Sequence, residues 1–306
     1  MSIRMSFYYH KEEMGLFLKD TLKKISSKKE DFVLDNVAIT WINYSTNINF
    51  KKGFGYGLNH KKQFYPASIV KLVYGLAIHY WIDKKRVLFN KEIESAVFNM
   101  LQHSSNDATS YLVDLLTGTS SGLSIEGLAW DHWKYQREII NDWLNNLSWE
   151  EVNGFNCCQK TWNEAPYGRE RDFYGERNQN RNCMSTIGTA RILEEIILHK
   201  IYPRNNLQLK DFLFRNLENK QWIEDDNNQV KGFLGEGLPE KTPFWSKAGL
   251  MSEARHDAAW WLNNQSSQTL LVVFCNGKKF AKDSSFLPEL SQAIYKFNQQ
   301  NLAPTL

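Results

Sequence analysis

Three short polar motifs follow one another along the chain, and their residue types can do proton-transfer chemistry. They are Ser68–Lys71 (Ser-Ile-Val-Lys), Ser104–Asn106 (Ser-Ser-Asn) and Lys247–Gly249 (Lys-Ala-Gly). A serine three residues before a lysine on a helix places the hydroxyl and the amine on one face, one turn apart. A neutral lysine there can take the serine proton and turn a weak nucleophile into a strong one. The first motif therefore predicts nucleophilic catalysis by Ser68, with Lys71 as its base.

Each motif alone is a weak signal, because the chain contains a second match to each of the three patterns. These lie at Ser26–Lys29, Ser45–Asn47 and Lys51–Gly53, and we interpret them as solvated surface and turn residues. Ser68 instead opens a long, largely apolar run that is typical of a buried helix, with the serine in its first turn. Taken singly, Ser68 could be a helix cap and Lys71 a surface lysine. The ordered set of three favours a functional site.

Residue patterning predicts strands near both ends of the chain and helices between them. Runs of β-branched and aromatic residues predict the strands, at 37–44, 54–58, 242–246, 257–262 and 269–275. Amphipathic patterns predict one helix over residues 12–25 and another over residues 285–298. The long middle of the chain is mainly helical in pattern.

These elements predict an α+β fold with two lobes. Residues 1–66 and 220–306 supply an antiparallel five-stranded sheet with flanking terminal helices, and residues 67–219 form an inserted all-helical lobe. The first motif lies where the chain enters the helical lobe, and the third lies on a strand. We therefore expect the motifs to meet in a cleft between the lobes, a common place for a ligand.

Composition narrows the range of partners. A chain of 306 residues with 42% hydrophobic residues is ample for a large core, and a net charge of +3 without a basic stripe argues against nucleic acid. The longest apolar run contains Lys71, so no membrane segment is expected. Four cysteines and seven histidines show no metal-ligand spacing, so we predict no metal and no cofactor. The first eleven residues lack the apolar core of a signal peptide, which predicts a cytoplasmic protein.

The chain resembles the class A β-lactamases, among the penicillin-recognising serine enzymes, over nearly its whole length. The order Ser-x-x-Lys, Ser-x-Asn, Lys-x-Gly is typical of these enzymes. Phe233–Pro239 precedes the lysine strand as the family's pre-strand segment does, and Asn163–Pro166 with Gly168–Asp172 resembles its omega loop. Cys183–Thr186 then opens a helix, as in the family. The resemblance implies a β-lactamase/transpeptidase-like fold and a small amide, ester or β-lactam as substrate.

The resemblance also implies a role for each matching residue. Ser68 would be the acylated nucleophile and Lys71 its general base or proton relay. Ser104 would pass a proton to the leaving nitrogen, while Asn106 would hydrogen-bond a substrate amide. Lys247 would attract the substrate carboxylate and stabilise the hydroxyl network of Ser104.

Further roles fall on the residues around the third motif. The backbone amides of Ser68 and Leu250 would form an oxyanion hole, worth about 2.7–4 kcal/mol per donor. Ala248, which precedes Gly249 in the third motif, replaces the residue with a hydroxyl side chain that is usual in the family. This replacement removes one hydrogen bond to a substrate carboxylate. Arg255 lies near where the family often keeps a carboxylate-binding arginine, which makes it a candidate substrate contact.

The omega loop departs from the family pattern. The family places a glutamate, which orients the deacylating water, four residues before the asparagine that matches Asn163. Gln159 occupies that position here. Because glutamine cannot accept a proton, a general-base contribution of about 10²–10⁴-fold should be missing, and Gln159→Glu is expected to speed deacylation. Glu164 or Glu170 could substitute, but we interpret both as exposed loop charges.

Three functional hypotheses follow. The first is a serine hydrolase that cleaves an amide or ester bond through an acyl-enzyme on Ser68. The alternative is a deacylation-deficient or non-catalytic penicillin-binding-like ligand binder, which Gln159 and Ala248 favour and the retention of Lys71 and Ser104 opposes. The third is an interaction scaffold suggested by the eleven tryptophans. Core packing explains tryptophan more simply.

Overall fold

A computed structural model of the 306-residue chain describes residues 6–29, 32–45, 52–199, 207–218, 228–264 and 267–301. The helices are α1 (Glu12–Ser26), α2 (Lys71–Asp83), α3 (Lys91–Gln102), α4 (Asn106–Thr117), α5 (Gly127–Arg137), α6 (Ile139–Asn146), α7 (Gly168–Tyr174), α8 (Thr186–Leu198), α9 (Leu209–Phe212), α10 (Lys278–Lys282) and α11 (Phe286–Asn301). The strands are β1 (Tyr9–His10), β2 (Val37–Ser45), β3 (Phe54–Leu58), β4 (Phe214–Arg215), β5 (Phe244–Met251), β6 (Ala254–Leu262) and β7 (Ser267–Asn276).

The strands of the described residues form one seven-stranded sheet in the order β1-β3-β2-β7-β6-β5-β4. The five longer strands are those that patterning predicts, and all pairings among them are antiparallel. The expectation of five strands was wrong, because β1 and β4 have two residues each and are too short to show alternation. β1 also pairs parallel to β3, so the sheet is mixed at that edge.

The sheet separates two apolar cores, because successive side chains of a strand point to opposite faces. Ile39 and Trp41 of β2 pack on one face with α1 and α11, while Ala38 and Ile42 pack on the other face with the central helices. Burial on both faces explains why β2 reads as a nearly continuous apolar run. The predicted terminal helices and their positions beside the sheet are therefore confirmed.

Helix α2 lies at the centre of the helical part of the molecule. It packs against α3, α4 and α8, and nearly all of its residues from Lys71 to Trp81 are buried. A helix that is apolar all round has to be buried in this way. The predicted boundary at 219/220 lies outside the described residues, so the division into lobes stays a prediction. None of the helices in the described ranges is long and apolar enough to cross a membrane.

Candidate active site

Lys71, the first residue of α2, connects the first motif to the second. Its Nζ donates to Asn106 Oδ1 at 2.8 Å, to the Ser104 carbonyl at 2.5 Å and to Ser104 Oγ at 3.1 Å. The side chain is fully buried, and burial lowers the pKa of Lys71 to about 7. Two of its partners are carbonyl oxygens, which only accept. A neutral amine would therefore keep two N–H bonds on them and direct its lone pair at a hydroxyl.

The turn before α4 presents the second motif to Lys71. Ser104 has a φ of +56°, a left-handed backbone conformation that is uncommon outside glycine. Ser105 then caps α4 by accepting a hydrogen bond from Ala108 N at 3.1 Å, and Asn106 begins the helix. The left-handed conformation of Ser104 costs on the order of 1–3 kcal/mol. It brings the carbonyl oxygen and the hydroxyl of Ser104 within hydrogen-bond distance of Lys71 Nζ.

Lys247, on β5, completes the connection. Its Nζ lies 3.0 Å from Ser104 Oγ, 2.7 Å from Gln229 Oε1 and 2.8 Å from the Ala248 carbonyl. Burial lowers the pKa of Lys247 well below its ordinary value, and the nearby charge of Lys71 lowers it further. The Ser104 hydroxyl thus lies between two buried amines, so the structure brings all three motifs together.

Lys71, Ser104, Asn106 and Lys247 form one hydrogen-bonded cluster. Ser68 lies beside this cluster in a half-buried position. It belongs to a 3₁₀ turn, Ala67–Val70, that leads into α2, so it precedes the α-helix instead of lying in its first turn. Ala67 is buried with a φ of +47°, a strained conformation of the kind that collects at functional sites. Among the described residues the hydrogen bonds of Lys71 Nζ all go to the second motif, and none joins it to Ser68 Oγ.

A buried histidine on β6, His256, holds in place the backbone of Tyr65, which lies just before the Ser68 turn. The His256 ring lies 2.9 Å from the Tyr65 carbonyl through Nε2, and Cys275 N donates to its Nδ1 at 3.0 Å. Because Nδ1 accepts, the ring proton must be on Nε2 and is donated to Tyr65. Burial lowers the pKa of His256 to about 4, so the ring stays neutral and structural.

Gly249 allows β5 to approach the Ser68 turn closely. A Cβ at this position would lie 3.0 Å from the Pro66 carbonyl oxygen, 3.1 Å from Ile69 Cγ1 and 3.3 Å from Ala67 Cβ. These distances are tighter than ordinary contacts, so a side chain here would displace the turn. The glycine of the third motif therefore acts through close backbone approach.

The open edge of β5 presents the amide of Leu250. Backbone N–H groups alternate between the two edges of a strand, and Ser246 N donates across the β4 edge to the Leu213 carbonyl at 2.9 Å. Ala248 N points to the same edge, where it donates to Gln229 Oε1 at 3.0 Å. The Leu250 amide must point there too, at a position where the two-residue β4 no longer covers the edge. An amide at an open strand edge can donate a hydrogen bond to a ligand.

Gln229 is a site residue that the sequence analysis missed. Its side chain is only 6% exposed, and its Nε2 donates to the carbonyls of Leu101 at 3.3 Å and Gln102 at 2.8 Å. These bonds fix the amide orientation, so Oε1 faces Lys247 Nζ and the Ala248 amide. No motif or periodic pattern surrounds Gln229 in the sequence, so no local signal marks it.

The omega-loop residues separate into one that reaches the cluster and one that does not. Asn163 is exposed, and its Oδ1 accepts a hydrogen bond from Asn106 Nδ2 at 2.6 Å. Gln159 is fully buried, and within the described residues neither atom of its side-chain amide has a hydrogen-bond partner. Its backbone is held by Asn182 and by the hydroxyl of Tyr74. The side chain next to Asn106 is therefore that of Asn163.

Glu170 is not the exposed loop charge that the sequence suggests. It is fully buried, with Oε2 2.6 Å from Arg137 Nη2 and Oε1 3.5 Å from Lys160 Nζ. Ser121 Oγ donates to Oε1 at 2.8 Å. This network occupies the carboxylate, so Glu170 cannot act as a base at Ser68. Glu164 is exposed, as expected.

Removal of the Glu170 carboxylate should destabilise the fold strongly. Glu170→Ala leaves the Arg137 guanidinium buried without its closest counter-charge, which is expected to lower the free energy of unfolding by about 3–5 kcal/mol. Denaturant titration followed by circular dichroism measures this loss. Glu164→Ala removes an exposed carboxylate from the same loop and should change the value little. Equal effects of the two substitutions would contradict the buried ion pair.

The structure does not bring Arg255 to the cluster. Its Nε and Nη2 both donate to the Ala281 carbonyl, at 3.1 and 3.0 Å, and Nη1 donates to the Gly232 carbonyl at 3.0 Å. Lys247 is paired with Ala258 across β5 and β6, so the side chains of these two residues lie on the same face of the sheet. Arg255 is three residues before Ala258 on β6, and side chains alternate between the faces along a strand. Its side chain therefore leaves the opposite face of the sheet from that of Lys247.

Comparisons with known proteins agree with this architecture. The model of the Beta-lactamase enzyme family matches residues 90–298, more than half of the chain, including the second and third motifs. No curated protein matches the sequence. A structure described as that of PBP-A covers 97% of this chain and 99% of its own, with a TM-score of 0.63 and 12% identity.

Solved β-lactamases are similar to the same extent. One from Xanthomonas campestris pv. campestris covers 91% of this chain and 96% of its own, at a TM-score of 0.60 and 15% identity. One from Francisella tularensis covers 93% of this chain and 99% of its own, at a TM-score of 0.59 and 13% identity. At such identities the likeness establishes the fold alone, and it confirms the predicted β-lactamase/transpeptidase-like architecture. Together with the match to the family model, it shows that the chain belongs to the β-lactamase enzyme family.

Proposed function

We propose that the protein is a serine hydrolase that cleaves an amide or ester bond, of the β-lactam type or similar, through an acyl-enzyme on Ser68. The observation that carries the proposal is the chain of hydrogen bonds from Lys71 through Ser104 to Lys247, buried beside the Ser68 turn. Membership of the family supports the reaction class.

Acylation begins with transfer of the Ser68 proton to neutral Lys71. For this step Lys71 Nζ must exchange its bond to Ser104 Oγ for one to Ser68 Oγ, and such contacts commonly tighten only when substrate binds. Ser68 Oγ then attacks the scissile carbonyl, whose oxygen receives hydrogen bonds from the amides of Ser68 and Leu250. Ser104 gives its proton to the leaving atom and regains one from the protonated Lys71.

Acyl-enzyme hydrolysis lacks an evident base, and this favours the second candidate function, an acyl-enzyme that deacylates slowly. Gln159 cannot accept a proton, and the Glu170 carboxylate is held by Arg137. One structural neighbour is described as a PBP-A variant in an acyl-enzyme complex with penicillin G, which makes penicillin G a suitable probe. Both candidates share the adduct on Ser68 and differ in its lifetime.

Intact-mass spectrometry with penicillin G tests the proposal. The wild-type chain should gain the mass of one penicillin, and Ser68→Ala should gain none. Loss of the adduct within the time of the assay supports the hydrolase, while a lasting adduct supports slow deacylation. A neutral activated ester serves as a second probe. A wild-type chain that gains no adduct from either reagent, or labelling that is equal in Ser68→Ala, would contradict the proposal.

The pH dependence of acylation should report the titration of Lys71. Burial lowers the pKa of Lys71 to about 7 and only the neutral amine accepts a proton, so the acylation rate should rise with pH up to about 7 and then level off. Below the midpoint the rate should change by about tenfold per pH unit. Stopped-flow measurements with a chromogenic lactam, corrected for spontaneous hydrolysis, give this profile. A rate that is flat across the midpoint would contradict a neutral lysine base.

A further inference from the structure

The inference rests on the proposed function and concerns the substrate that Ser68 attacks. We propose that this substrate is uncharged on its leaving-group side, so that it is a neutral ester or amide and bears no carboxylate there. The family resemblance assigns carboxylate recognition to three positions, Lys247, Ala248 and Arg255. In this chain none of the three offers a hydrogen-bond donor to the site.

Lys247 has no donor left for a ligand. Its side chain is fully buried, and its Nζ already contacts Ser104 Oγ, Gln229 Oε1 and the Ala248 carbonyl. A lysine ammonium has three N–H bonds, and three acceptors use them all. Because Ser104 is also the proton donor to the leaving atom, Lys247 lies on the leaving-group side of the site. A substrate carboxylate there would meet an amine that cannot bind it directly.

Gln229 accepts a hydrogen bond from Lys247 Nζ, so it helps to hold this amine beside Ser104 and away from a ligand. The Gln229 side chain is a neutral amide, and its bonds to the carbonyls of Leu101 and Gln102 prevent it from turning its oxygen away. Burial lowers the pKa of Lys247 well below its ordinary value, although the charge of the buried Asp257 carboxylate acts in the opposite direction.

The neighbouring positions are closed in the same way. Ala248 has a methyl group that is 4% exposed, and Gln229 takes its amide. Arg255 lies on the far face of the sheet, where three of its five N–H bonds go to the carbonyls of Ala281 and Gly232. Arg215, the other buried cation near Lys247, donates through Nη1 and Nη2 to the carbonyls of Leu101, Gln102 and Ser246. Its Nε makes no hydrogen bond within the described residues, but this atom is buried away from solvent.

A carboxylate at this place would therefore lose water without gaining a partner from these residues. Burial of an unpaired charge is costly, whereas an ester or amide of the same shape loses much less on leaving water. The arrangement of these residues thus favours a neutral leaving group. The acyl side of the substrate is not restricted. Penicillin G carries a carboxylate on its leaving-group side, so it should label Ser68 more slowly than a neutral ester does.

Two esters of phenylacetylglycine test the proposal, one with 3-hydroxybenzoic acid and one with methyl 3-hydroxybenzoate. Both deliver the same acyl group, so they form the same Ser68 adduct and differ only in the charge of the leaving group. The acylation rate constant of each, from stopped-flow release of the phenol, is divided by its rate constant for hydrolysis by hydroxide. The neutral ester should be the faster after this correction. An equal or faster rate for the carboxylate ester would overturn the proposal.

Added salt supplies a second readout. Salt screens attraction between a cation in the site and the carboxylate, so such attraction would make the carboxylate ester slow down selectively as NaCl is raised. We expect no selective slowing, and its observation would also overturn the proposal. If neither ester labels Ser68, or if both label Ser68→Ala, the proposed serine hydrolase itself is refuted and this inference with it. The two failures are therefore distinguishable.

Discussion

Lys71→Met should reduce the rate of Ser68 acylation by about 10²–10⁴-fold, the usual contribution of a general base. Methionine has a side chain of similar length and suits a buried site, but it cannot accept the Ser68 proton. The variant also loses the bonds to Asn106 and Ser104, so its thermal unfolding should be recorded beside its activity. The rate is measured by stopped flow with a chromogenic lactam and confirmed by mass spectrometry of the adduct.

Two control variants make this result specific. Lys71→Arg keeps a positive charge in the same place but cannot give up its proton near neutral pH, so it should be nearly as slow. Lys24→Met replaces an exposed lysine of α1 that pairs with Asp20, and it should react like the wild type. A folded Lys71→Met variant that retains more than about a tenth of the wild-type rate would exclude Lys71 as the base.

The sequence predicts the main elements of the fold because each carries its own periodic pattern. The run from Val37 alternates between two buried faces and becomes β2, and α1 buries residues at helical spacing. The sequence also places the first motif at the entry to α2 and the third on a strand, although Ser68 precedes the helix and does not lie in its first turn. The hydrogen bonds of Lys71 and Lys247 to the Ser104 hydroxyl become visible only in the structure.

The sequence could not predict contacts that join distant segments. Gln229 reaches Leu101 and Lys247 from a loop whose path no local pattern sets. A lone glutamate in a loop is ordinarily exposed, so the burial of Glu170 became visible only with its partner Arg137, 33 residues away in sequence.

The omega loop shows the same limit at the position of the missing base. A loop has no periodicity to fix the register of an alignment, so matching Asn163 to the family's asparagine left Gln159 at the place of its glutamate. The structure places the Asn163 side chain against Asn106 instead, and it leaves the side-chain amide of Gln159 buried and unpartnered within the described residues. Position 163 is therefore the better place to introduce a base.

Asn163→Asp should speed deacylation of the Ser68 adduct by about 10²–10⁴-fold. Aspartate has nearly the shape of asparagine, and Asn106 Nδ2, which lies 2.6 Å from Asn163 Oδ1, would hold the carboxylate beside the cluster. Because Asn163 is exposed, water can reach that carboxylate and be activated there. The measurement is the loss of adduct mass with time, after the chain is labelled with penicillin G and excess reagent is removed.

Gln159→Glu is the decisive comparison, since the sequence alone favours it as the restored base. The side chain at this position is fully buried, and a glutamate there would either stay protonated or place an unpaired charge in the core. We therefore expect little gain in deacylation and a lower unfolding temperature. Asn163→Leu, which removes the amide without adding a carboxylate, should deacylate no faster than the wild type. If Gln159→Glu speeds deacylation and Asn163→Asp does not, then position 159 and not position 163 faces the acyl-enzyme, and the assignment of the omega loop is wrong.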